Sequence, residues 1–372
     1  MDMQVITSFY QDLKARVNLW HKKYENYLPA GFFFLGFTFD ILTLGEVDDN
    51  SNIITLSIYL LAMMILMGSD HLKINFSESQ NKLLKIIATY KVDIFHFMAG
   101  ALLSAFTLFY FKSSSIANNF IFMFLMISLL ILNELEIFKK QGKVLRTSIT
   151  MLCLISYLIY LFPLIFGTSG PIIFYSSLIL ATFVSALSFY IMIRRQMDFT
   201  ASLKELIFPH TIVCSLFLIL YLFKIFPPIP LSLKYIGVFH DLQKDNGHYI
   251  TYQETPSWKF WMQGDQDFVA YQGDKIFIFA KIFAPGGFEG KVYMRWIKQT
   301  KEAELTSDKI PMEITGGRKE GFRAFAYKEN FTPGQWQVKV ETKAGLEIGR
   351  INFSVTKKKK QRPEKPMYKR KW

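Results

Sequence analysis

Residues 219–240, ILYLFKIFPPIPLSLKYIGVFH, contain the point at which an apolar, helix-forming run gives way to a polar, strand-forming region. Three prolines, Pro227, Pro228 and Pro230, follow the apolar run. Proline lacks a backbone N–H and clashes with the preceding helical turn. The last helix of the apolar region is therefore expected to end near Phe226.

The polarity of the chain differs on the two sides of this joint. Of the 372 residues, 51% are hydrophobic and only 20% are charged, which is too apolar for one soluble domain. The long apolar runs precede the joint, and the region after it has the polarity of a soluble protein. The sequence therefore predicts a cytoplasmic amphipathic segment at 1–27, a membrane domain at 28–226, the Pro-rich joint at 227–232, a β-sandwich at 233–356 and a basic disordered tail at 357–372.

Seven stretches before the joint are long and apolar enough to cross a bilayer, which takes ~20 mainly apolar residues in a helix. They lie near 28–46, 53–69, 93–112, 117–137, 146–166, 171–193 and 206–226. The first two are the weakest, because the first contains Asp40 and the second is short. The alternative is five spans, with the first two stretches forming a re-entrant or interfacial hairpin.

Lysine and arginine residues are concentrated in alternate connections between these stretches. The N-terminal segment and the second, fourth and sixth connections hold fifteen of them, whereas the other connections hold only Lys112. Basic connections remain in the cytoplasm. We therefore expect a multi-pass protein with a cytoplasmic N-terminus and an extracytoplasmic C-terminal domain. The polar N-terminal segment lacks a basic region followed by an apolar core, so no cleavable signal peptide is expected, and the Phe-rich, Lys-rich composition with two cysteines fits a bacterial inner membrane.

Four polar residues inside the predicted spans are candidates for function, because polar groups in a bilayer are costly. Asp93 and His96 are three residues apart and share one helix face, and Asn133 and Glu134 lie near the end of the fourth stretch. Asp93, His96 and Glu134 could form a proton or ion path or hold a metal. The interpretation that we prefer is that these side chains reach the interface or bond to a neighbouring helix.

After the joint, alternating runs such as KIFIFAKIF (275–283) and WQVKVET (336–342) indicate strands, and PGGF and TPGQ indicate turns. Strand runs that recur every 8 to 15 residues with little helical pattern are typical of an antiparallel sandwich. The sequence therefore predicts an all-β domain of about eight strands.

Aromatic residues crowd this domain, and two of them are candidates for an exposed ligand platform. Trp258 and Trp261 are three residues apart in a polar segment, so they cannot both face inward from one strand. Tyr271, Arg295 and Trp296 are further candidates for ligand binding. The alternative is that the aromatics form the core or a belt at the membrane interface.

Motifs of catalysis and metal binding are missing from the chain. It contains no HExxH, G-x-S-x-G, phosphate-loop or paired-cysteine pattern. We predict no cofactor and no metal, and an enzyme is the less favoured class. The tail holds nine Lys or Arg and one Glu, which favours contact with anionic lipid over nucleic acid outside the cytoplasm.

Several stretches, in this order, resemble bacterial multi-pass membrane proteins with a C-terminal domain of unknown function numbered 2914. They are GALLSAFTLFYFKSSSI (100–116), Asn133-Glu134, PPIPLSLKYIGVFH (227–240), FAPGGFEGKVYMRW (283–296) and GQWQVKVETKAG (334–345). The resemblance implies the two-part architecture and no particular activity. Relatives have His where this chain has Met294, so the resemblance implies no catalytic or metal role for that strand here.

These observations favour a non-enzymatic envelope protein whose sandwich binds a glycan, lipid or protein partner. The alternative is a membrane transporter or membrane-embedded enzyme that uses Asp93, His96 and Glu134, with the sandwich as an accessory.

Overall fold

The computed structural model describes residues 37–74, 80–134, 142–256, 258–300, 304–358 and 367–372. A helical region comes first and a β-rich region, here called the β domain, follows. The helices are α1 (Asn50–His71), α2 (Lys82–Thr89), α3 (Lys91–Lys112), α4 (Ile116–Glu134), α5 (Lys143–Phe166), α6 (Pro171–Arg194) and α7 (Phe199–Leu222). Residues 37–43 are also helical, and α7 contains a π-helical segment at Leu203–Ile207.

Five of these helices, α1, α3, α5, α6 and α7, are long and apolar enough to cross a membrane. The fourth predicted span corresponds to α4, whose apolar part, Asn118–Asn133, is shorter than the others. Most of the first predicted span, 28–46, lies outside the described residues. The predicted count of about seven spans is therefore not confirmed, and five candidate spans are the number that the described residues support.

Helix α5 lies at the centre of the helical region. Every residue from Thr150 to Tyr160 is buried, because this stretch is apolar all round and packs against α1, α3, α6 and α7. The Tyr160 hydroxyl donates a hydrogen bond to the Val47 carbonyl oxygen at 2.8 Å. This bond joins the C-terminal half of α5 to the connection that precedes α1.

The β domain contains eleven strands within the described residues. They are β1 (Ser232–Phe239), β2 (Asp241–Asp245), β3 (His248–Gln253), β4 (Asp267–Ala270), β5 (Ile276–Phe283), β6 (Glu289–Gln299), β7 (Glu304–Thr315), β8 (Phe322–Lys328), β9 (Gly334–Thr342), β10 (Glu347–Lys357) and β11 (Tyr368–Lys371). The prediction of a β-rich domain is confirmed, with three more strands than the expected eight.

The strands form three sheets, in the orders β1-β5-β8, β4-β10-β9-β6-β7 and β11-β3-β2. The pairs are antiparallel except β4 with β10, which run parallel, so the large sheet is mixed. Inward-facing residues of the first two sheets share one hydrophobic cluster that includes Ile278, Trp296 and Val338. The third sheet covers the opposite face of the first sheet through a smaller cluster around Phe239 and Phe279.

One end of the β domain contacts the helical region. Phe283 and Leu346 join the hydrophobic cluster of the helices. Lys234 forms an ion pair with Glu46 at 2.6 Å, and the Glu289 backbone N–H donates to the Gly167 carbonyl oxygen at 2.9 Å. The helical connections that reach the β domain are thus the ones that are poor in Lys and Arg.

The opposite end of the β domain is the end of strand β1 that lies away from the helical region. Strand β1 leaves the joint at Ser232 and ends seven residues later at Phe239, which is about 23 Å along the strand at ~3.3 Å per residue. The segment from His240 to Gln266 leaves from this end and returns to it, since Val238 pairs with Gly264 in an isolated parallel bridge. We call this the far end.

The structure differs from the predicted disordered tail at residues 367–372. Strand β11 pairs with β3, and the Trp372 indole lies 4.3 Å from the Tyr235 ring and 5.2 Å from the Phe279 ring. Arg370 stacks over Trp372, and burial raises the pKa of Tyr235 to about 12. The prediction of disorder was based on the charge of the tail and did not consider Trp372, whose ring packs on the β domain.

Candidate functional site

The far end displays three exposed aromatic side chains on the loop that precedes Gly264. Trp258 is 66% exposed, Phe260 87% and Trp261 60%. The Trp261 ring lies 5.7 Å from the Trp258 ring and 5.2 Å from the Phe260 ring, both edge to face. Lys259 lies over the Trp258 ring. We call residues 255–264 the aromatic loop, and the prediction that Trp258 and Trp261 are exposed agrees with this geometry.

Asp265 closes the base of the aromatic loop. Its carboxylate accepts hydrogen bonds from the backbone N–H groups of Glu254, at 2.9 Å, and Thr255, at 2.7 Å. Its own N–H donates to the Val238 carbonyl oxygen at 2.8 Å, and the Val238 N–H donates to the Gln263 carbonyl oxygen at 3.1 Å. Hydrogen bonds to a carboxylate are stronger than those between neutral groups. These bonds therefore join the two ends of the aromatic loop to each other and to β1.

A buried histidine, His240, lies beside this base. Its Nε2 atom is 3.5 Å from Asp265 Oδ2 and 3.7 Å from Glu254 Oε1, and its Nδ1 atom is 3.9 Å from Asp274 Oδ2. The ring also packs on Phe268, 4.0 Å away between centroids. Carboxylates thus face both ring nitrogens, and these contacts join the end of β1 to the residues that flank the aromatic loop. Within the described ranges, no group of acidic, His and Cys side chains has the geometry of a metal site.

Neutral polar groups flank the aromatic loop. The Gln263 backbone N–H donates to Gln266 Oε1 at 3.1 Å, and the Gln266 amide donates to the Asn352 carbonyl oxygen at 3.1 Å. These bonds link the loop to β10 and place amide groups beside the exposed rings. The loop surface therefore combines exposed aromatic rings with one cationic side chain, Lys259, and with an amide that is bonded within the protein.

The structure does not place the other three predicted ligand residues at this surface. Trp296 is 0% exposed and belongs to the core between the two sheets, because inward positions on β6 alternate with outward ones. Tyr271 is also buried. Arg295 Nε forms an ion pair with the buried Glu341 carboxylate at 3.2 Å, so its charge is used within the sheet. Tyr271, Arg295 and Trp296 are structural residues in this fold.

Of the four polar residues predicted in the helical region, His96 and Asn133 are hydrogen-bonded to each other, and Asp93 and Glu134 are not part of this pair. His96 Nδ1 lies 2.9 Å from Asn133 Oδ1, and Asn133 Nδ2 donates to the His96 carbonyl oxygen at 3.0 Å. Since the amide oxygen faces Nδ1, this nitrogen carries the proton in a neutral ring. Asp93 is exposed one turn earlier on α3. The backbone of Glu134 is helical, and its side chain lies outside the described parts of the chain.

A cavity of about 720 Å³ lies beside this pair, between α1, α3 and residues 37–44. We call it the interhelical cavity. Its described lining includes the polar residues Asp40, Thr43, Ser51, Asn52, Thr55, Asp93, His96 and Ser104 and the apolar residues Phe37, Phe39, Leu44, Leu56, Tyr59, Phe97 and Leu130. The Ser104 hydroxyl donates to the Asp40 carboxylate at 2.5 Å. The cavity therefore has one acidic group toward each of its ends.

Three features of these sites were not predicted from the sequence. His240, Glu254 and Asp265 are spread over 26 positions of the chain, and nothing in their spacing indicates that they meet. Phe260 stands between Trp258 and Trp261 in the sequence, and this dense aromatic run was the available signal for its exposure. The pairing of Asp40 with Ser104 joins residues 64 positions apart and has no sequence signal.

Residues 289–355 match the model of the family described as protein of unknown function, DUF2914. This match covers β6 to β10 and confirms the resemblance of the C-terminal region. No curated protein matches the chain. Among solved structures, a match is found to the Pseudomonas fluorescens alkylpurine DNA glycosylase AlkC bound to DNA containing an abasic site analog, at 10% identity, over 84% of this chain and 99% of that chain, with a TM-score of 0.22. A likeness at this TM-score carries no argument.

Proposed function

We propose that this chain is a multi-pass protein of a bacterial inner membrane that holds a β-sandwich outside the cytoplasm and binds a glycan through the aromatic loop. The proposal treats the protein as a non-catalytic recognition module. It rests on the exposure of Trp258, Phe260 and Trp261 at the far end.

The charge of the connections supports this orientation. The connections next to the β domain, at 44–49, 113–115 and 167–170, hold no Lys or Arg, whereas basic residues lie in the connections at the opposite end of the helices. Basic connections stay in the cytoplasm. The β domain is then on the extracytoplasmic side.

The position and chemistry of the aromatic loop favour a glycan. The loop lies at the end of the β domain that points away from the helices, so its own bilayer is not the surface that covers it. Three exposed rings form an apolar patch, which marks an interaction site. The Gln266 amide beside the loop is bonded to Gln263 and Asn352 within the protein, so the exposed rings themselves carry the preference for a sugar chain.

Cosedimentation of the full chain tests the proposal. The protein is reconstituted in nanodiscs of neutral lipid and mixed with insoluble peptidoglycan at low and high salt. We expect saturable, salt-resistant binding that weakens about tenfold or more in the Trp258→Ala/Trp261→Ala variant, because exposed aromatic anchors dominate such interfaces. Tyr327→Ala, which removes an exposed ring on β8, is the matched control and should bind as the wild type does.

Other outcomes would overturn the proposal. Binding that is unchanged in the double tryptophan variant would exclude the aromatic loop as the contact. Binding to anionic vesicles that high salt abolishes would assign the interaction to the basic tail. Absence of glycan binding, together with capture of a protein by the aromatic loop, would replace the glycan by a protein partner.

The interhelical cavity favours a second candidate function. Asp93 and His96 line the cavity, as the alternative of a transporter or membrane-embedded enzyme with Glu134 would require. Under this reading, alanine at Asp93 and His96 abolishes a cellular phenotype of the protein. Under the recognition reading, these changes leave the phenotype intact.

A further inference from the structure

The interhelical cavity combines apolar walls with an acidic group at an unusual depth. Helix α3 lines it from Asp93 to Ala105. At 1.5 Å per residue, Ser104 lies about 16 Å along the helix from Asp93. The Asp40 carboxylate, which accepts the Ser104 hydrogen bond, is thus well inside the helical region. Asp93 lies close to the end of α3 that carries Lys91.

The described lining holds no group of permanent positive charge. It contains Asp40 and Asp93 but neither Lys nor Arg. The imidazole of His96 is engaged with Asn133 through Nδ1. Asp40 is half-buried, and a carboxylate that loses part of its hydration is stabilised when a cation accompanies it. The lining therefore suits a ligand that brings a positive charge and disfavours phosphate and carboxylate head groups.

The size and walls of the cavity indicate the rest of the ligand. A volume of about 720 Å³ is far larger than a metal ion needs and falls in the range of sites for organic ligands. Phe39 and Phe97 line the cavity and are 64% and 68% exposed, so its mouth opens toward the lipid-facing surface. Gly100, which has no side chain, and Ala101, which has only a methyl group, leave space along α3 between Asp93 and Ser104. A hydrocarbon chain fits this space.

We propose that the interhelical cavity binds a single-chain cationic amphiphile. Its charged head lies between Asp40 and Ser104, and its chain follows α3 past Ala101 toward Phe97. The inference uses the membrane placement of the helices from the proposed function, and it is independent of glycan binding by the aromatic loop.

Photolabelling of the full chain in nanodiscs tests this proposal. The probe is a C16 primary amine with a diazirine in its chain, and mass spectrometry locates the label. We expect saturable labelling within 93–105. Excess unlabelled hexadecylamine should compete for the site, whereas hexadecanoic acid at the same concentration should not. This head-group comparison uses the wild-type protein, so it does not depend on the folding of a variant.

Two variants locate the head and the chain. Asp40→Asn keeps an acceptor for Ser104 but removes the charge, so half-saturation should require at least about tenfold more amine. Ala101→Trp fills the chain space and should abolish labelling. The control, Ile179→Trp, places the same ring on the exposed surface of α6 and should leave labelling unchanged.

The proposal is overturned if hexadecanoic acid competes as well as the amine does. It is also overturned if a folded Asp40→Asn protein binds the amine with unchanged affinity, or if the label is spread over the exposed faces of all helices. Loss of amine labelling with retained glycan binding would reject this inference alone. The reverse result would reject only the recognition function of the aromatic loop.

Discussion

Gly264 lies so close to Val238 that a Cβ atom on Gly264 would come 2.0 Å from the Val238 carbonyl oxygen. Gly264 also has a φ of +73°, in the left-handed region that favours glycine. The aromatic loop rejoins the sheet at this contact. The position of its three rings therefore depends on a backbone approach that only glycine permits.

We predict that Gly264→Ala destabilises the β domain by roughly 2 kcal/mol or more, because it adds a steric clash to the cost of a positive φ. The measurement is urea unfolding of the full chain in detergent, followed by near-ultraviolet circular dichroism. Gly247→Ala is the matched control, since Gly247 has a φ of +78° with no atom within 4 Å of its Cβ position. It should cost only about 1 kcal/mol. Equal losses in the two variants would show that the Val238 contact is unimportant.

Trp372 provides the second prediction. Its indole Nε1–H donates to Thr251 Oγ1 at 2.9 Å, and its ring packs on Tyr235 and Phe279. Trp372→Ala should lower the unfolding free energy by about 2–3 kcal/mol. This loss is smaller than that of a fully buried tryptophan, because the Trp372 ring is only half-buried. Tyr368→Ala, which removes an exposed ring at the other end of β11, should change it by less than about 0.5 kcal/mol. A tail that contributes nothing would leave both variants at wild-type stability in the same urea titration.

The sequence predicted those parts of the fold that depend on neighbouring residues in the chain. The proline joint at 227–232 lies between the last helix and the first strand, and it is visible in the sequence because chain breakers act within a few residues. The alternating runs predicted strands for the same reason. The parallel pairing of β4 with β10 and the return of β11 to β3 had no local pattern, since they join segments distant in the sequence.

The candidate site was predicted only in part. Trp258 and Trp261 were identified because their spacing conflicts with a strand, a test that uses sequence alone. The same test was not decisive for Trp296, since strand alternation requires knowing which face of β6 turns inward. The clustering of His240 with three carboxylates depends on the path of the aromatic loop, which the sequence does not reveal.

Asp308 provides a prediction about pH. Lys328 Nζ and Ser307 Oγ both donate to its carboxylate, and these hydrogen bonds, first that of Lys328, hold the pKa of Asp308 below its ordinary value of 3.8. A lowered folded-state pKa stabilises the fold above the unfolded pKa, and this contribution is lost as the pH falls through the folded pKa.

Asp308→Asn should therefore cost about 0.5–1 kcal/mol at pH 7, a modest value because the pair is near the surface. The difference from wild type should shrink toward zero near pH 2. Urea unfolding at the two pH values measures it. Lys328→Met should show the same loss at pH 7, and the double variant should not add the two losses. A difference that persists unchanged in acid would contradict the assigned ionisation.

His96 and Asn133 provide the last prediction, which also bears on the choice between the two candidate functions. Their two hydrogen bonds join α3 to α4. Hydrogen bonds between helices in membranes contribute about 0.6–1.7 kcal/mol each. Asn133→Ala should therefore lower the unfolding free energy in detergent by about 1–3 kcal/mol, whereas Ile131→Ala, on the exposed face of α4, should cost less.

A double-mutant cycle with His96→Ala separates structure from function at this pair. If the pair only joins the helices, the cycle should show coupling of about 1 kcal/mol, and a cellular phenotype should fall only as far as protein abundance falls. If His96 moves a proton, His96→Ala should abolish the phenotype while Asn133→Ala, at the same abundance, leaves much of it. That result would favour the transporter or enzyme over the recognition module. If His96 only joined the helices, its removal should not reduce the phenotype more than removal of Asn133, to which it is hydrogen-bonded.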